Sequence, residues 1–342
     1  MHLGPQSSAT SPTTGMAQAR ARRALADLDV PASEPMVRAD SVTNEVWLTQ
    51  DYVVRINRHV TMRLRREATL AMALPAEVGY PPIVRYGGDV GADWLVMGRV
   101  PGTPLSRWWP DMTDAQRRDA IRQLARRLQI VHSTACPPLD GLPDPPQLLD
   151  SRPTGHEAVA RLLAALDQAA ALTWVDAGIM GDLTAVVERD ADALDPFDVP
   201  TLVHGDLTFE NVLWDGEQIT ALLDFEYARP GPPDLDLDVL LRFVSFPFLH
   251  VAPDYEALTL AEDYAAVPFW LAEDYPALFS SPRQFERMRI YSIAWDVHEL
   301  LDFPPPKGLL RLVDCHPYQR LAQVLRGTSY LDRLNGSVQI DF

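Results

Sequence analysis

Residues 201–226 read TLVHGDLTFENVLWDGEQITALLDFE, and the rest of the chain is read outward from this stretch. Leu202 and Val203 close an apolar run. His204, Gly205 and Asp206 follow, and Asn211 comes five positions after Asp206. Val212–Trp214 continues as a short strand, Asp215-Gly216 is a two-residue turn signal, and Ile219–Leu223 is a second strand that delivers Asp224. A hairpin reverses the chain, so Asn211 and Asp224 are expected side by side at its open end, with Asp206 one loop away. Capped turns would explain Asp and Asn as residue types. They would not explain three such side chains converging through one hairpin.

That convergence suits phosphoryl transfer. Mg²⁺ takes hard oxygen ligands, usually one or two carboxylates completed by phosphates and water. A further carboxylate nearby can accept the proton of an attacking hydroxyl. The Asp-x4-Asn spacing, with an Asp on the next strand, is the order used by protein-kinase-like enzymes. HGDLTFEN followed by LLDFE resembles the aminoglycoside phosphotransferase and choline kinase family, which has His-Gly-Asp where protein kinases have His-Arg-Asp. The resemblance implies a bilobal α+β fold, with a small β-rich N-lobe and a larger, mostly helical C-lobe. It implies ATP or GTP with Mg²⁺ between the lobes, Asp206 as the catalytic base, and Asn211 and Asp224 as metal ligands.

The 342 residues suffice for two lobes with sizeable cores. No apolar run approaches a membrane span, and nothing at the N-terminus reads as a signal peptide. Cys136 and Cys315 lack metal-type spacing and fit a reducing, cytoplasmic setting. The net charge of −17 argues against a nucleic-acid partner. It either attracts cationic substrates or simply favours solubility. The sole lysine, Lys307, follows Pro304–Pro306 near the C-terminus. A kinase of this fold normally grips the nucleotide phosphates with a lysine on an N-lobe strand, so here an arginine must do so. Oligomeric state is not legible.

Residues 1–19 are rich in Ser, Thr, Pro and Gly and are expected to be a disordered tail. The N-lobe is placed at 20–97 and the C-lobe at 98–342. A first helix is expected over Ala17–Leu28, strands at Asn44–Leu48 and Tyr52–Ile56, a helix near Thr61–Leu74, and strands at Ile83–Gly88 and Trp94–Met97. Ser41-Val42-Thr43-Asn44 resembles the family's nucleotide-covering loop, although it lacks glycine. Ser41, Thr43 and Asn44 would donate hydrogen bonds to phosphate oxygens, or serve only as turn residues. Arg55 stands where the family has its phosphate-binding Lys or Arg. A charge inside an apolar strand needs a partner. Glu67 would hold Arg55 at the α- and β-phosphates, unless it pairs on the surface with Arg63 instead. Leu95–Gly102 resembles the hinge between lobes, where the backbone at Met97, Gly98 and Val100 would meet the base.

Thr113-x-x-Gln116 is a capping-box pattern opening a helix to about Ser133, with Ile121, Leu124, Leu128 and Val131 as its core stripe. His156–Leu172 and Gly181–Leu194 read as two more helices, and 238–342 reads as wholly helical, with segments near 254–266 and 284–302. Asp236 matches the acid that braces the family's catalytic loop, and His132 reads as structural. In relatives the C-terminal region closes over the acceptor. Glu226, Trp270, Trp295, Asp296 and Glu299 are therefore candidate substrate contacts, with a solvated helix face as the alternative. The expected reaction is transfer of a γ-phosphate to a hydroxyl of a small, cationic-leaning antibiotic. A metabolite kinase (choline, homoserine or sugar type) and a non-catalytic nucleotide-binding protein remain the competing readings.

Overall fold

A computed structural model of the chain describes residues 12–337 apart from 27, 29, 32, 40–43, 59–61, 90, 143–147, 150–153, 303 and 306–311. In chain order the first elements are α1 (Pro12–Ala26), β1 (Val37–Ala39), β2 (Asn44–Leu48), β3 (Tyr52–Asn57), α2 (Arg63–Ala71), β4 (Ile83–Gly87) and β5 (Trp94–Gly98). The strands form one antiparallel sheet in the order β1-β2-β3-β5-β4.

Period-two alternation decides what each face of this sheet carries. Val54 and Ile56 point to the face covered by α1, where they pack with Trp47, Val96, Ala21, Ala24 and Leu25. Leu95 and Met97 belong to the opposite face, packed against Leu64 and Ala68 of α2. Arg55 lies between Val54 and Ile56, so the same alternation turns it toward α2. The helix α1 begins at Pro12, inside the stretch read from composition as tail, and proline is well tolerated in a first helical turn. Its buried Ala21, Ala24 and Leu25 anchor it to the sheet.

The chain then continues through β6 (Thr103–Pro104), α3 (Leu105–Trp108), α4 (Asp114–Ser133), α5 (Gly155–Ala158), α6 (Ala160–Ala170) and α7 (Ala177–Asp190). Next come β7 (Leu202–Val203), β8 (Val212–Trp214), β9 (Ile219–Leu222), β10 (Arg229–Pro230), α8 (Asp234–Ser245), α9 (Val267–Asp274), α10 (Gln284–Asp302), α11 (Pro317–Arg326) and α12 (Tyr330–Ser337). Thr113 caps α4 through the expected capping box, and Ile121, Leu124, Leu128 and Val131 are fully buried in the large helical core. Residues 254–266 are not an α-helix but two 3₁₀ turns, Glu256–Leu258 and Ala261–Tyr264. Packing overrides periodicity there, because Tyr264 stacks on Trp109 with ring centroids 5.4 Å apart and meets Phe243 edge-on.

Two small sheets position the central stretch. In one, β8 lies between β6 and β9. Its β8–β9 loop holds the four residues 215–218 that the expected strand bounds leave, since Trp214 pairs with Ile219. Asp215 closes that loop by accepting the Glu217 and Gln218 amides at 3.0 and 2.9 Å. In the other, β7 pairs with β10, which sets His204-Gly205-Asp206 beside Tyr227.

Candidate active site

The His204–Asp206 stretch is held from beneath by one carboxylate. Asp236, fully buried, accepts the backbone N–H groups of His204 and Gly205, each at 2.7 Å, and contacts His132 Nε2 at 2.9 Å. Burial alone would raise its pKa; the His132 hydrogen bond, with the Gly205 amide, more than offsets that, so it lies below the usual range. Gly205 has φ +81°, and a Cβ there would come within 2.4 Å of the Tyr227 carbonyl oxygen. Only glycine fits without displacing the Phe225–Tyr227 turn. His204, also fully buried, donates from Nε2 to the Leu223 carbonyl at 2.8 Å, while its Nδ1 accepts the Asp206 amide at 3.3 Å. Burial lowers its pKa, consistent with this neutral tautomer. One imidazole thus sets the spacing between the Asp206 loop and the strand end that carries Asp224. Asp236→Ala is expected to cost about 3–5 kcal/mol of stability, as for one partner removed from a buried charged network, and to lower turnover. Thermal unfolding together with initial rates would check both.

Asn211 lies at the open end of the hairpin, opposite Leu223, one residue before Asp224. Its carbonyl accepts the Leu223 amide at 2.8 Å, and its Nδ2 donates to the Asp206 carbonyl (2.8 Å) and carboxylate (3.1 Å). Asp224 follows in the left-handed region, φ 62°. That conformation is uncommon outside glycine and costs roughly 1–3 kcal/mol where surrounding structure enforces it. Asp206, partly exposed, has its carboxyl pushed up to about 7, first by dehydration and then by the neighbouring Asp224 charge.

Arg55 bridges the two lobes. Its Nη1 donates to both oxygens of Glu67 at 2.8 Å, and its Nη2 donates to Asp224 at 2.8 Å. The buried pairing of Glu67 therefore wins over a surface pair with Arg63. Glu67 also accepts the Tyr80 hydroxyl at 2.8 Å and the Phe225 amide at 3.1 Å. Glu226, 2% exposed, lies 3.6 Å from Arg55 and accepts Asn44 Nδ2 at 3.2 Å. Asn44 is thus buried and already engaged, not an open phosphate donor, while Ser41 and Thr43 lie outside the described residues. Glu67, Asp224 and Glu226 offer one ligand atom each within 4.8 Å of one another, and Glu226 Oε1 is buried with no hydrogen-bond partner. Buried hard oxygens with one unmet acceptor fit a divalent cation. At the hinge, the Gly98 amide is used by Pro82 O at 2.9 Å and the Arg99 amide by Asp51 O at 2.7 Å.

The candidate acceptor contacts are placed differently. Glu226 belongs to the Arg55 cluster, not to an acceptor wall. Asp296 is fully buried and accepts Arg242 Nη1 at 2.7 Å and Arg320 Nε at 2.9 Å, while Glu299 is paired with Arg320. Trp295 lies 5.2 Å from the Arg242 guanidinium, and Trp270 packs against the main core. Trp295, Asp296 and Glu299 do share one side of α10, but that side faces two buried arginines, which require counter-charges. Asp296→Ala is expected to destabilise by about 3–5 kcal/mol while leaving acceptor KM unchanged in the folded protein. A raised acceptor KM would return Asp296 to the binding site. Sequence reading also passed over Glu210, inside the motif itself, which accepts from Ser106 and lies 3.4 Å from Arg107. The Arg107 guanidinium in turn sits 3.7 Å from the Tyr255 ring centroid. Nothing local marks these partners.

A sheet with a buried Arg–Glu pair, set over a helical region whose hairpin carries Asn and Asp, defines a kinase-like phosphotransferase fold. The chain belongs to the phosphotransferase enzyme family, whose profile matches residues 36–270. Over 167 residues it is 32% identical to the aminoglycoside 3'-phosphotransferase of Streptomyces ribosidificus, covering 48% of this chain and 59% of that protein. The match therefore spans less than two thirds of the relative's length. Among solved structures, a choline/ethanolamine kinase family protein from Mesorhizobium loti superposes with a TM-score of 0.60 at 17% identity, over 93% of this chain and 98% of that one. The ADP-bound aminoglycoside phosphotransferase APH(2'')-Ib gives 0.59 at 14% identity, over 92% and 98%. At such identities these likenesses concern the fold. Among the described residues no helix is long and apolar enough to cross a membrane, and Cys136 and Cys315 are free thiols.

Proposed function

We propose that the chain is a small-molecule kinase that transfers the γ-phosphate of ATP or GTP to a hydroxyl of an antibiotic, of aminoglycoside type or another class such as a nucleoside antibiotic, giving resistance or self-protection in the cytoplasm. The observation that carries this reading is the convergence of Asp206, Asn211 and Asp224 beside the Arg55–Glu67 pair. The aminoglycoside relative supports the antibiotic class, and the ADP-bound neighbour supports a nucleotide between the region taken as N-lobe, 20–97, and the C-lobe, 98–342.

Arg55 would hold the non-transferred phosphates through its planar fork, oriented by Glu67. The hinge backbone at Met97, Gly98 and Val100 would meet the base. Asp224 and Asn211, with Glu226 beside them, would hold Mg²⁺, which when bound neutralises charge on the phosphates. Asp206 would accept the proton of the acceptor hydroxyl as that oxygen bonds to the γ-phosphorus and the bond to the departing nucleoside diphosphate breaks. Positioning and charge neutralisation would supply most of the acceleration.

Release of nucleoside diphosphate, measured with Mg²⁺ against a panel of antibiotics and of choline-, homoserine- and sugar-type metabolites, tests the reading. Release with one antibiotic is the expected result. Release only with a metabolite makes the chain a metabolite kinase. Nucleotide binding without release for any compound makes it a binding module.

A further inference from the structure

A crevice of about 600 Å³ opens between the Ala76–Gly79 loop that follows α2, the helix α4, and the start of β9. Half-buried Arg127 of α4 lines it. Its Nη1 donates to the Glu77 carbonyl at 2.6 Å and the Val78 carbonyl at 3.1 Å, and its Nη2 donates to the Ile219 carbonyl. One rigid guanidinium fork therefore joins a loop of the sheet-bearing region to the hairpin of the helical region. Gly79 shows how closely the two meet. At φ +79°, a Cβ on it would come within 2.9 Å of both Arg127 Nη1 and the Thr220 carbonyl oxygen. Gln123 adds a second tie from α4, accepting the Ile219 amide at 2.9 Å.

Both tethered segments run directly into the active site. The loop passes from Gly79 to Tyr80, whose hydroxyl donates to Glu67 at 2.8 Å. The strand that opens at Ile219 ends at Leu222, two residues before Asp224. Arg55 bonds Glu67 and Asp224 at once, each at 2.8 Å, so its grip requires these two acids, from different regions of the chain, to keep one separation. We propose that Arg127 is a positioning residue that clamps the Ala76–Gly79 loop to the β8–β9 hairpin and thereby fixes the spacing of Glu67 and Asp224 around Arg55. The inference rests on the phosphotransferase reading, since it assigns Arg127 a role in nucleotide binding. Burial, with only main-chain carbonyls as bonded partners, pulls the Arg127 pKa below its ordinary value. The fork's three directed bonds, not an ion pair, hold it there.

The test measures the affinity of the full-length chain for a fluorescent ATP analogue with Mg²⁺, alongside thermal unfolding, in wild type, Arg127→Ala, Arg127→Lys and Gly79→Ala. A charged hydrogen bond such as Arg55 would give to phosphate is worth about 10- to 100-fold in affinity. Arg127→Ala, by letting Arg55 lose its fixed position, is therefore expected to bind nucleotide about 10- to 100-fold more weakly, with Arg127→Lys in between. Gly79→Ala should weaken binding similarly, because its methyl would push the loop off Thr220. Millimolar guanidinium, small enough to enter the crevice, should recover part of the loss in Arg127→Ala and none in Gly79→Ala. Wild-type affinity in Arg127→Ala overturns the clamp. If that variant fails to fold, wild-type affinity in both Arg127→Lys and Gly79→Ala overturns it. A wild-type chain that binds no nucleotide overturns the phosphotransferase reading itself, which is a separate result.

Discussion

Asp206→Asn is expected to lower turnover by about 10²- to 10⁴-fold, the usual contribution of a positioned general base, with nucleotide affinity within a few-fold of wild type. The amide keeps the size of the carboxyl and can still contact Asn211, but it cannot take the hydroxyl proton. Initial rates and a nucleotide titration separate the two effects; wild-type-like turnover would remove Asp206 from the role. A second signature comes from titration in the metal-free protein. Dehydration and the Asp224 charge raise the Asp206 pKa from 3.8 to about 7. The folded state then keeps a proton that the unfolded chain releases above its own lower pKa. Stability from this group is fully present below about pH 4 and is lost as pH climbs to about 7. Asp206→Asn lacks that loss, so in chelator its unfolding temperature should gain on wild type across pH 4 to 7 and stay ahead above it. An unfolding-temperature difference independent of pH would sink this assignment.

Arg55→Ala should have the largest effect on the ground state. It would leave Glu67, fully buried, together with Asp224 and Glu226, as three carboxylates within 4.8 Å and no cation between them. Removing one partner of a buried ion pair costs about 3–5 kcal/mol, and losing a charged hydrogen-bond donor to phosphate costs roughly 10- to 100-fold in nucleotide affinity. Burial already holds the Glu67 carboxyl above the usual carboxylate range, outweighing the lowering by Arg55. Without the guanidinium it moves further up and takes a proton at neutral pH. The variant should therefore be most stable at the acid end and lose stability as pH rises past 7. Added Mg²⁺ or Mn²⁺ should raise its unfolding temperature more than that of wild type, because the cage then has a vacant cation's worth of charge to fill. Equal metal-induced shifts in the two proteins would remove the three acids from a common site. Arg55→Lys should fall between, since a point charge cannot bond both Glu67 oxygens and Asp224 in one plane.

Much of the candidate site could be read from residue order because its parts are close in sequence. Asp206, Asn211 and Asp224 are joined by one loop and one hairpin, and the Asn211–Leu223 contact follows from the reversal. Arg55 could be found because a charge in Val53-Val54-Arg55-Ile56 demands a buried partner, and Glu67 was the nearest acid on an amphipathic helix. The Thr113 capping box was legible for the same reason, since both halves lie within one helical turn. By contrast, Ala261–Tyr264 looked helical and forms a 3₁₀ turn, because the ring stack of Tyr264 on Trp109 outweighs local periodicity. The stretch from Pro12 looked like tail by composition and instead extends α1.

By itself, then, the sequence determined the His204–Asn211 loop, the hairpin acid and the buried arginine as one candidate site, through short spacings and the cost of an unpaired charge. Only tertiary structure decided which remaining acids are free to meet a substrate. Asp296 lies 54 residues from Arg242 and 24 from Arg320, and the packing of α8, α10 and α11 makes them partners. Tyr80, edge-on to Phe225 at 5.5 Å, and Arg127 likewise reach across the junction of the two regions. No local pattern encodes such contacts, because hydrogen bonding and charge pairing depend on distance in space, which periodicity along one element does not fix.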